Sequence, residues 1–258
     1  MNKPPLISII TATYNAELLL EKTINSILSQ KYTAIEYIII DGGSKDGTLS
    51  IIEKYKHIIS YYISEPDAGI YDAWNKGVAI ASGEWVSFLG AGDEYLPDAL
   101  DNYVKFIQSS DAHTADFVSS RVDVVNSEGL TLYTLGTEWE WPKFLDYMNI
   151  AHVGSLHSTR FFNKYGIYNP KYKVVGDYEL LLRAGPDMNA LFLPTVTAKM
   201  LFGGLSISKV SLKEAFMVKL ASGYSSPVKI YLKYYFSLFK ASVRFFLFKK
   251  GIFISIRK

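Results

Sequence analysis

Three short apolar runs, at residues 6–10, 36–40 and 85–89, each break off into a loop rich in Gly, Asn and Asp, and helical spacing fills the gaps between them. A strand that reads as a continuous apolar run is one covered on both faces, as in a parallel sheet. Leu18, Leu19, Thr23, Ile24, Ile27 and Leu28 lie on one helical stripe, with Glu21, Lys22, Asn25 and Ser26 on the other. The pattern predicts a second helix to about residue 55, a strand at 59–63 and a helix over about 70–82, broken at Gly83. Right-handed crossovers set such strands parallel, and the fold class expected is α/β with a mostly parallel central sheet flanked by helices. Ligands of open α/β sheets bind at the carboxyl edge. Asp41, Asp67 and Asp93 all follow strand ends and are the first candidates.

The 258 residues, 49% hydrophobic, suffice for one large α/β domain or for a domain with an appendage. The absence of cysteine excludes disulfides and thiolate metal sites. The start, MNKPPLISIITATYN, is apolar only briefly and lacks a small-residue cleavage site, so it reads as a first core strand and not a signal peptide. The net charge of +2 hides an asymmetry: residues 209–258 carry eleven Lys and Arg against one acid, Glu214, and the rest of the chain is acidic. Two parts are expected, a domain at 1–205 and an appendage at 206–258.

The loop DGGSKDGT at 41–48 has the glycine gap of a phosphate loop, but Thr48 stands where the lysine belongs, and no GxGxxG follows the first strand. Phosphate-loop and dinucleotide readings are rejected. Asp41 instead suits hydrogen-bond donors of a base or ribose, the alternative being that it, like Asp46, only caps the next helix.

Together, TATYN, IIIDGGSKDGT, SEPDAGIYDAWNKG and GEWVSFLGAGDEYLP, in this order and spacing, resemble glycosyltransferase family 2, the inverting enzymes of GT-A fold. The likeness is specific over about residues 5–97 and extends more loosely through His152 and VGDYELLLR at 175–183. It implies transfer of a sugar from a nucleotide sugar, a UDP-sugar, to a glycan hydroxyl with inversion. By position, Thr11, Tyr14, Asp41 and Asp67 would hold the donor, with Asn75 and Lys76 beside it. Asp177 would be the base, and Asp93 with His152 would serve a divalent cation, Mg2+ or Mn2+. The metal motif is thin, since GAGDE places only Asp93 and Glu94 at the strand end. A hydrated cation held by one carboxylate and the diphosphate still fits. The thin motif also keeps open a non-catalytic nucleotide- or glycan-binding relative. Nucleotidyl transfer would need a basic, glycine-rich first loop, and TATYN is neither.

The chemistry accounts for these residue types. A departing nucleoside diphosphate gathers negative charge that a cation stabilises, while a carboxylate takes the acceptor's proton. Asp177, at the head of an apolar helical run, would without the resemblance be an ordinary first-turn acid. His152 and His157, five apart, do not form an i, i+4 metal pair. His57 and His113 read as surface residues, the segment 166–172 as a loop, and Trp139 and Trp141 as an acceptor wall or core.

In the appendage, SLKE at 211–214 has capping-box spacing and opens a helix to about Gly223. Pro227 starts another, ending near Gly251, with Lys229, Lys233, Lys240 and Arg244 on one stripe amid aromatic and aliphatic residues. No charge-free run approaches the twenty residues of a membrane span. The expectation is an interfacial, amphipathic helix that holds a cytoplasmic enzyme to the anionic inner face of the cell membrane, beside a lipid-linked acceptor, the alternative being a helix packed on the catalytic domain with snorkelling lysines. No nucleic-acid partner is expected.

Overall fold

The structure, a computed structural model, describes residues 4–109, 114–203 and 208–249. His113, the 205/206 boundary and the end of the last helix past residue 249 fall outside the described residues, as does the side chain of Arg244. The chain runs β1 (Ile7–Thr13), α1 (Leu20–Leu28), β2 (Ile35–Asp41), α2 (Thr48–Lys54), β3 (Tyr61–Ser64), α3 (Ile70–Ile80), β4 (Trp85–Phe88), β5 (Glu94–Tyr95) and α4 (Ala99–Ser109). It continues through β6 (Phe117–Val125), β7 (Thr131–Leu135), α5 (Trp141–Phe144), a 3-10 turn (His152–Gly154), β8 (Ser155–Ser158), α6 (Thr159–Tyr165), α7 (Gly176–Ala184) and β9 (Ala190–Leu201). Two helices follow, α8 (Lys209–Ser222) and α9 (Pro227–Lys249).

One nine-stranded sheet holds the strands in the order β3-β2-β1-β4-β8-β6-β9-β5, with β7 attached to β6. The first four are all parallel, as the alternating pattern predicts. Beyond β4 the sheet is mixed: β8 runs antiparallel to β4 and β6, β9 runs parallel to β6, and β5 runs antiparallel to β9. The β6–β7 hairpin turns where the Asn126 side-chain oxygen accepts the N–H groups of Glu128 and Leu130.

Strand alternation sorts the core into two layers. Ile7 and Ile9 pack with Leu20, Ile24, Tyr37 and Ile39 on one face. Ile10 packs with Ile38, Ile40, Val86, Phe88 and Trp74 on the other. Each fully buried isoleucine contributes roughly 1.5–3 kcal/mol. Helix α3 lies so close on β1 that a Cβ at Gly77 would come within 2.5 Å of Ile10 Cγ2. That contact fixes the first turn of α3 over the carboxyl edge. The register Thr13–Asp41–Ser64 lines up three strand ends on that edge, and Phe88, opposite Ile10, brings the loop of Asp93 to the same side.

Helix α8 starts earlier than the predicted capping box. Its cap is Ser208, whose hydroxyl oxygen accepts the Ser211 N–H at 3.2 Å, which releases Glu214 for another task. Val218 is buried in the same apolar cluster as Tyr178 and Leu181, so α8 packs into the body of the domain. Helix α9 lies on α8 through buried Ile230 and through Phe216, stacked on Tyr234 at 4.3 Å.

Candidate active site

The loops at the carboxyl edge are laced together by their own side chains. Asp41 is fully buried: its Oδ2 accepts the N–H groups of Gly43 and Ser44 at 3.0 and 2.9 Å and the Ser64 hydroxyl at 2.6 Å, and the Ser44 hydroxyl bonds Oδ1. It organises the loop and has no exposed surface for a base or ribose, which corrects the direct role expected from sequence. Thr11 is corrected too. Strand β1 runs on to Thr13, so Thr11 lies inside it, buried, and accepts the Tyr37 hydroxyl at 3.3 Å. Asp46 accepts the Thr48 N–H at 3.1 Å at the start of α2, whose cap position is Gly47.

Around Asp41 lie exposed Tyr14 and half-buried Gly42 and Asp67. A Cβ at Gly42 would lie 2.7 Å from Asp67 Oδ2 and 3.3 Å from the Tyr14 ring, so the missing side chain keeps the space between them open. Tyr14 is 63% exposed, an aromatic face with no neighbour stacked on it among the ring contacts of the described residues. Asp67 Oδ1 accepts the Gly69 N–H at 2.8 Å, in a turn that needs glycine because Gly69 has φ +119°. Lys76 pairs with Glu65 at 2.7 Å and lies 3.8 Å from Asp72. The Glu65 hydrogen bond raises its pKa, which keeps a fixed cation at the rim.

Asn75 and His152 have structural tasks. Asn75 donates to the Tyr168 carbonyl at 2.8 Å and accepts the Tyr168 N–H at 2.9 Å, clamping the 166–172 loop. His152 is buried, stacked on Trp74 at 4.7 Å and hydrogen-bonded through Nε2 to the Tyr168 hydroxyl at 2.8 Å. Burial pushes its pKa down to about 3, so it is a neutral core ring. His152 does not fit the metal role assigned from sequence. His157 is more deeply buried, among Phe88, Phe117, Phe161 and Phe162, and His57 is exposed. Trp139 and Trp141 pack on Phe144, the core alternative.

Asp93 Oδ1 accepts the Leu201 N–H at 3.0 Å, tying the loop after β4 to the end of β9. Burial raises its pKa to about 7. Among the described residues no three His, Cys, Asp or Glu side chains gather into a metal cage. The donor set fits a cation only as one carboxylate ligand, Asp93, with the remaining octahedral positions filled by diphosphate and water.

Asp177 stands at the start of α7, with its carboxylate accepting the Tyr178 N–H at 2.8 Å and the Tyr71 hydroxyl at 3.2 Å. Burial raises its pKa to about 6. Tyr71 belongs to the first turn of α3, directly after the Asp67 turn, and Lys173 donates to the Ala68 carbonyl at 2.6 Å. The structure thus joins the Asp177 segment to the Asp67 turn, on the edge that also carries Tyr14, Gly42 and Asp93. Sequence reasoning missed Tyr71, Gly42 and Glu214. The signals available were the hydroxyl four residues after Asp67, a glycine after the strand-end acid, and a lone acid in a basic tail.

A sheet whose parallel half presents acids at its carboxyl edge and continues into a mixed half, flanked by helices, is an α/β arrangement of GT-A type. The glycosyl transferase family 2 model matches residues 8–163, and the chain belongs to that family: it is a glycosyltransferase. It is 32% identical over 209 residues to a PGL/p-HBAD biosynthesis glycosyltransferase of Mycobacterium bovis, covering 78% of this chain and 79% of that one. An uncharacterized glycosyltransferase of Mycobacterium tuberculosis is 31% identical over 187 residues, 71% of this chain and 70% of its own length. Among solved structures, S. aureus TarS 1–349 in complex with UDP-GlcNAc superposes with a TM-score of 0.67 at 18% identity, covering 87% of this chain and 69% of that one. The mannosyltransferase PcManGT from Pyrobaculum calidifontis, in complex with GDP-Man and Mn2+, gives 0.63 at 17%, covering 87% and 67%. These likenesses show the GT-A fold.

Proposed function

We propose that the protein moves a sugar from a nucleoside diphosphate sugar, a UDP-sugar, to a hydroxyl of a lipid-linked glycan acceptor with inversion. The observation that carries the reading is the half-buried Asp177 carboxylate, held by Tyr71 beside the Asp67 turn. Tyr14 offers the base a stacking face, and Asp67 Oδ2 accepts donors of the nucleoside. The acceptor oxygen attacks the anomeric carbon as Asp177 takes its proton. The bond from that carbon to the diphosphate oxygen breaks, and the electron pair leaves with the nucleotide. A single displacement inverts the centre. A base with pKa about 6 is ionised at neutral pH and still basic enough to accept a proton in the transition state. A divalent cation, Mg2+ or Mn2+, bound to Asp93 would neutralise the charge growing on the diphosphate. TarS, which binds UDP-GlcNAc, and PcManGT, which binds GDP-Man and Mn2+, support a nucleotide-sugar donor by fold likeness. Incubation with a panel of nucleotide sugars and lipid-linked acceptors tests the reading: a glycosylated product of inverted configuration is expected. Donor binding without any product points instead to a non-catalytic relative.

The lipid-linked acceptor and a peripheral place on the cytoplasmic face of the membrane draw support from α8 and α9. Val228, Leu232, Tyr235 and Phe239 expose one apolar stripe of α9, flanked by Lys229, Lys233 and Lys240. Lys233 and Lys229 also reach Asp146, the latter at 3.9 Å, along a groove of about 190 Å³ between α8 and the α9 face that carries Ile230 and Tyr234. No helix among the described residues is long and apolar enough to cross a membrane. Lysines near an anionic surface contribute about 1 kcal/mol each, screened by salt, and the inserted apolar stripe adds a contribution that salt leaves intact. Truncation after Ser226 is expected to abolish sedimentation with anionic vesicles while activity on a water-soluble acceptor is retained. The full chain should bind vesicles more weakly, but still measurably, at high salt. Unchanged vesicle binding by the truncated protein would overturn the anchor.

A further inference from the structure

Glu214 is the one acid among the last fifty residues, and its carboxylate is turned away from its own helix. Oε1 accepts the N–H of Lys173 at 2.8 Å, and Oε2 accepts those of Val174 and Val175 at 2.9 and 3.2 Å. Three consecutive backbone donors, immediately before Gly176 and Asp177, thus converge on one side chain from α8. The same segment is gripped from its other side: the Tyr71 hydroxyl donates to the Val174 carbonyl at 2.7 Å and reaches Asp177 Oδ1 at 3.2 Å. Gly176 completes the contact, since a Cβ there would meet the Tyr71 ring at 2.8 Å.

We infer that Glu214 is a positioning residue for transfer, fixing from the C-terminal helix the backbone that aims Asp177 at the acceptor hydroxyl. The inference rests on the reading of Asp177 as base. Charge-assisted hydrogen bonds to three N–H groups form a fixed anchor, and no other acid of the last fifty residues can replace it. Val174 is held at both its N–H and its carbonyl, so the only freedom left to Asp177 is its own side-chain rotation, which Tyr71 and the Tyr178 N–H restrict. The tail is therefore part of the catalytic apparatus as far as α8.

The test uses the full-length chain and three variants. Glu214→Ala removes the anchor, Glu214→Gln keeps its shape and acceptor oxygen without the charge, and Asp177→Asn reports on the base itself. Steady-state kinetics per folded molecule and donor binding by calorimetry are measured for each. Glu214→Ala is expected to lose about ten- to a hundred-fold in kcat, the scale of a misplaced reacting group, with donor affinity within two-fold of the parent. Glu214→Gln should recover part of that loss. If Glu214→Ala does not fold, a kcat for Glu214→Gln equal to that of the parent would overturn the inference, and a reduced kcat at unchanged donor affinity would support it. Lowered thermal stability with kcat unchanged would make Glu214 a staple only and sink the proposal. Full turnover in Asp177→Asn would remove the base reading, whereas a dead Asp177→Asn beside a fully active Glu214→Ala removes only this inference.

Discussion

Asp177→Asn is expected to lower turnover by roughly 10²–10⁴-fold, the usual contribution of a positioned general base, while donor binding changes little. The substitution keeps a side-chain oxygen for the Tyr178 N–H and the Tyr71 hydroxyl, so the start of α7 retains its geometry and only the proton acceptor is lost. Product assays paired with titration calorimetry of the nucleotide sugar separate the two effects. The pH profile supplies an independent check. Burial raises the carboxyl to about 6, and only the ionised form accepts a proton, so below about 6 this group should add one decade per pH unit to the fall in kcat/KM that protonation of Asp93 starts from about 7. In Asp177→Asn that component should vanish from whatever activity remains. Full turnover in the variant, or survival of the component at about 6 beside the fall that protonation of Asp93 causes from about 7, would exclude Asp177 as base.

The second large effect belongs to Asp93, where stability and activity should move in opposite directions. The rise of its pKa from the ordinary 3.8 to about 7, caused first by burial, corresponds to roughly 4 kcal/mol in favour of the neutral acid. The folded state therefore binds this proton more tightly than the unfolded chain. The associated stability is present below pH about 4 and is lost as pH rises through about 7. Asp93→Asn keeps an acceptor for the Leu201 N–H and carries no charge. Without divalent cation it is expected to melt several degrees above the parent at pH 8 and close to it at pH 4, as followed by circular dichroism. On the proposed reading transfer should nevertheless fall by at least about 100-fold, because the carboxylate that would hold the cation against the diphosphate is gone. Asp93→Ala should lose the same activity and also stability, since it leaves the Leu201 N–H without its partner. Direct Mn2+ titration of each protein with bound nucleotide tells whether the cation has lost its ligand. An Asp93→Asn protein with parental transfer and parental Mn2+ affinity would contradict the assignment.

The parallel half of the sheet was legible because a strand buried on both faces must be apolar at every position, and residues 6–10 and 36–40 are nearly so. The mixed half was not legible, since β8 (SLHS) and β5 (EY) are too short to carry a period. At the site, sequence placed the acids on the correct edge but could not say which carboxylates still have a free oxygen. Asp41 and Asp67 look alike in the sequence. One is consumed by Gly43, Ser44 and Ser64, while the other keeps Oδ2 beside Gly42. The structural bonds of Asn75 and His152 were hidden for a related reason, because both go to Tyr168, more than ten residues away along the chain. Glu214 shows the same limit in reverse. Its spacing from Ser211 fits a local capping box, yet its partners lie about forty residues upstream.

The apolar stripe of α9 has a consequence for handling the protein. Val228, Leu232, Tyr235 and Phe239 follow one another at gaps of four, three and four, each more than 60% exposed, which is the seam spacing of a two-stranded coiled coil. In a buffer without lipid or detergent, the surface that most readily covers this seam is the same seam on another copy. A dimer or larger species seen under those conditions is then a property of the buffer, and micelles that fill the seam should return the monomer.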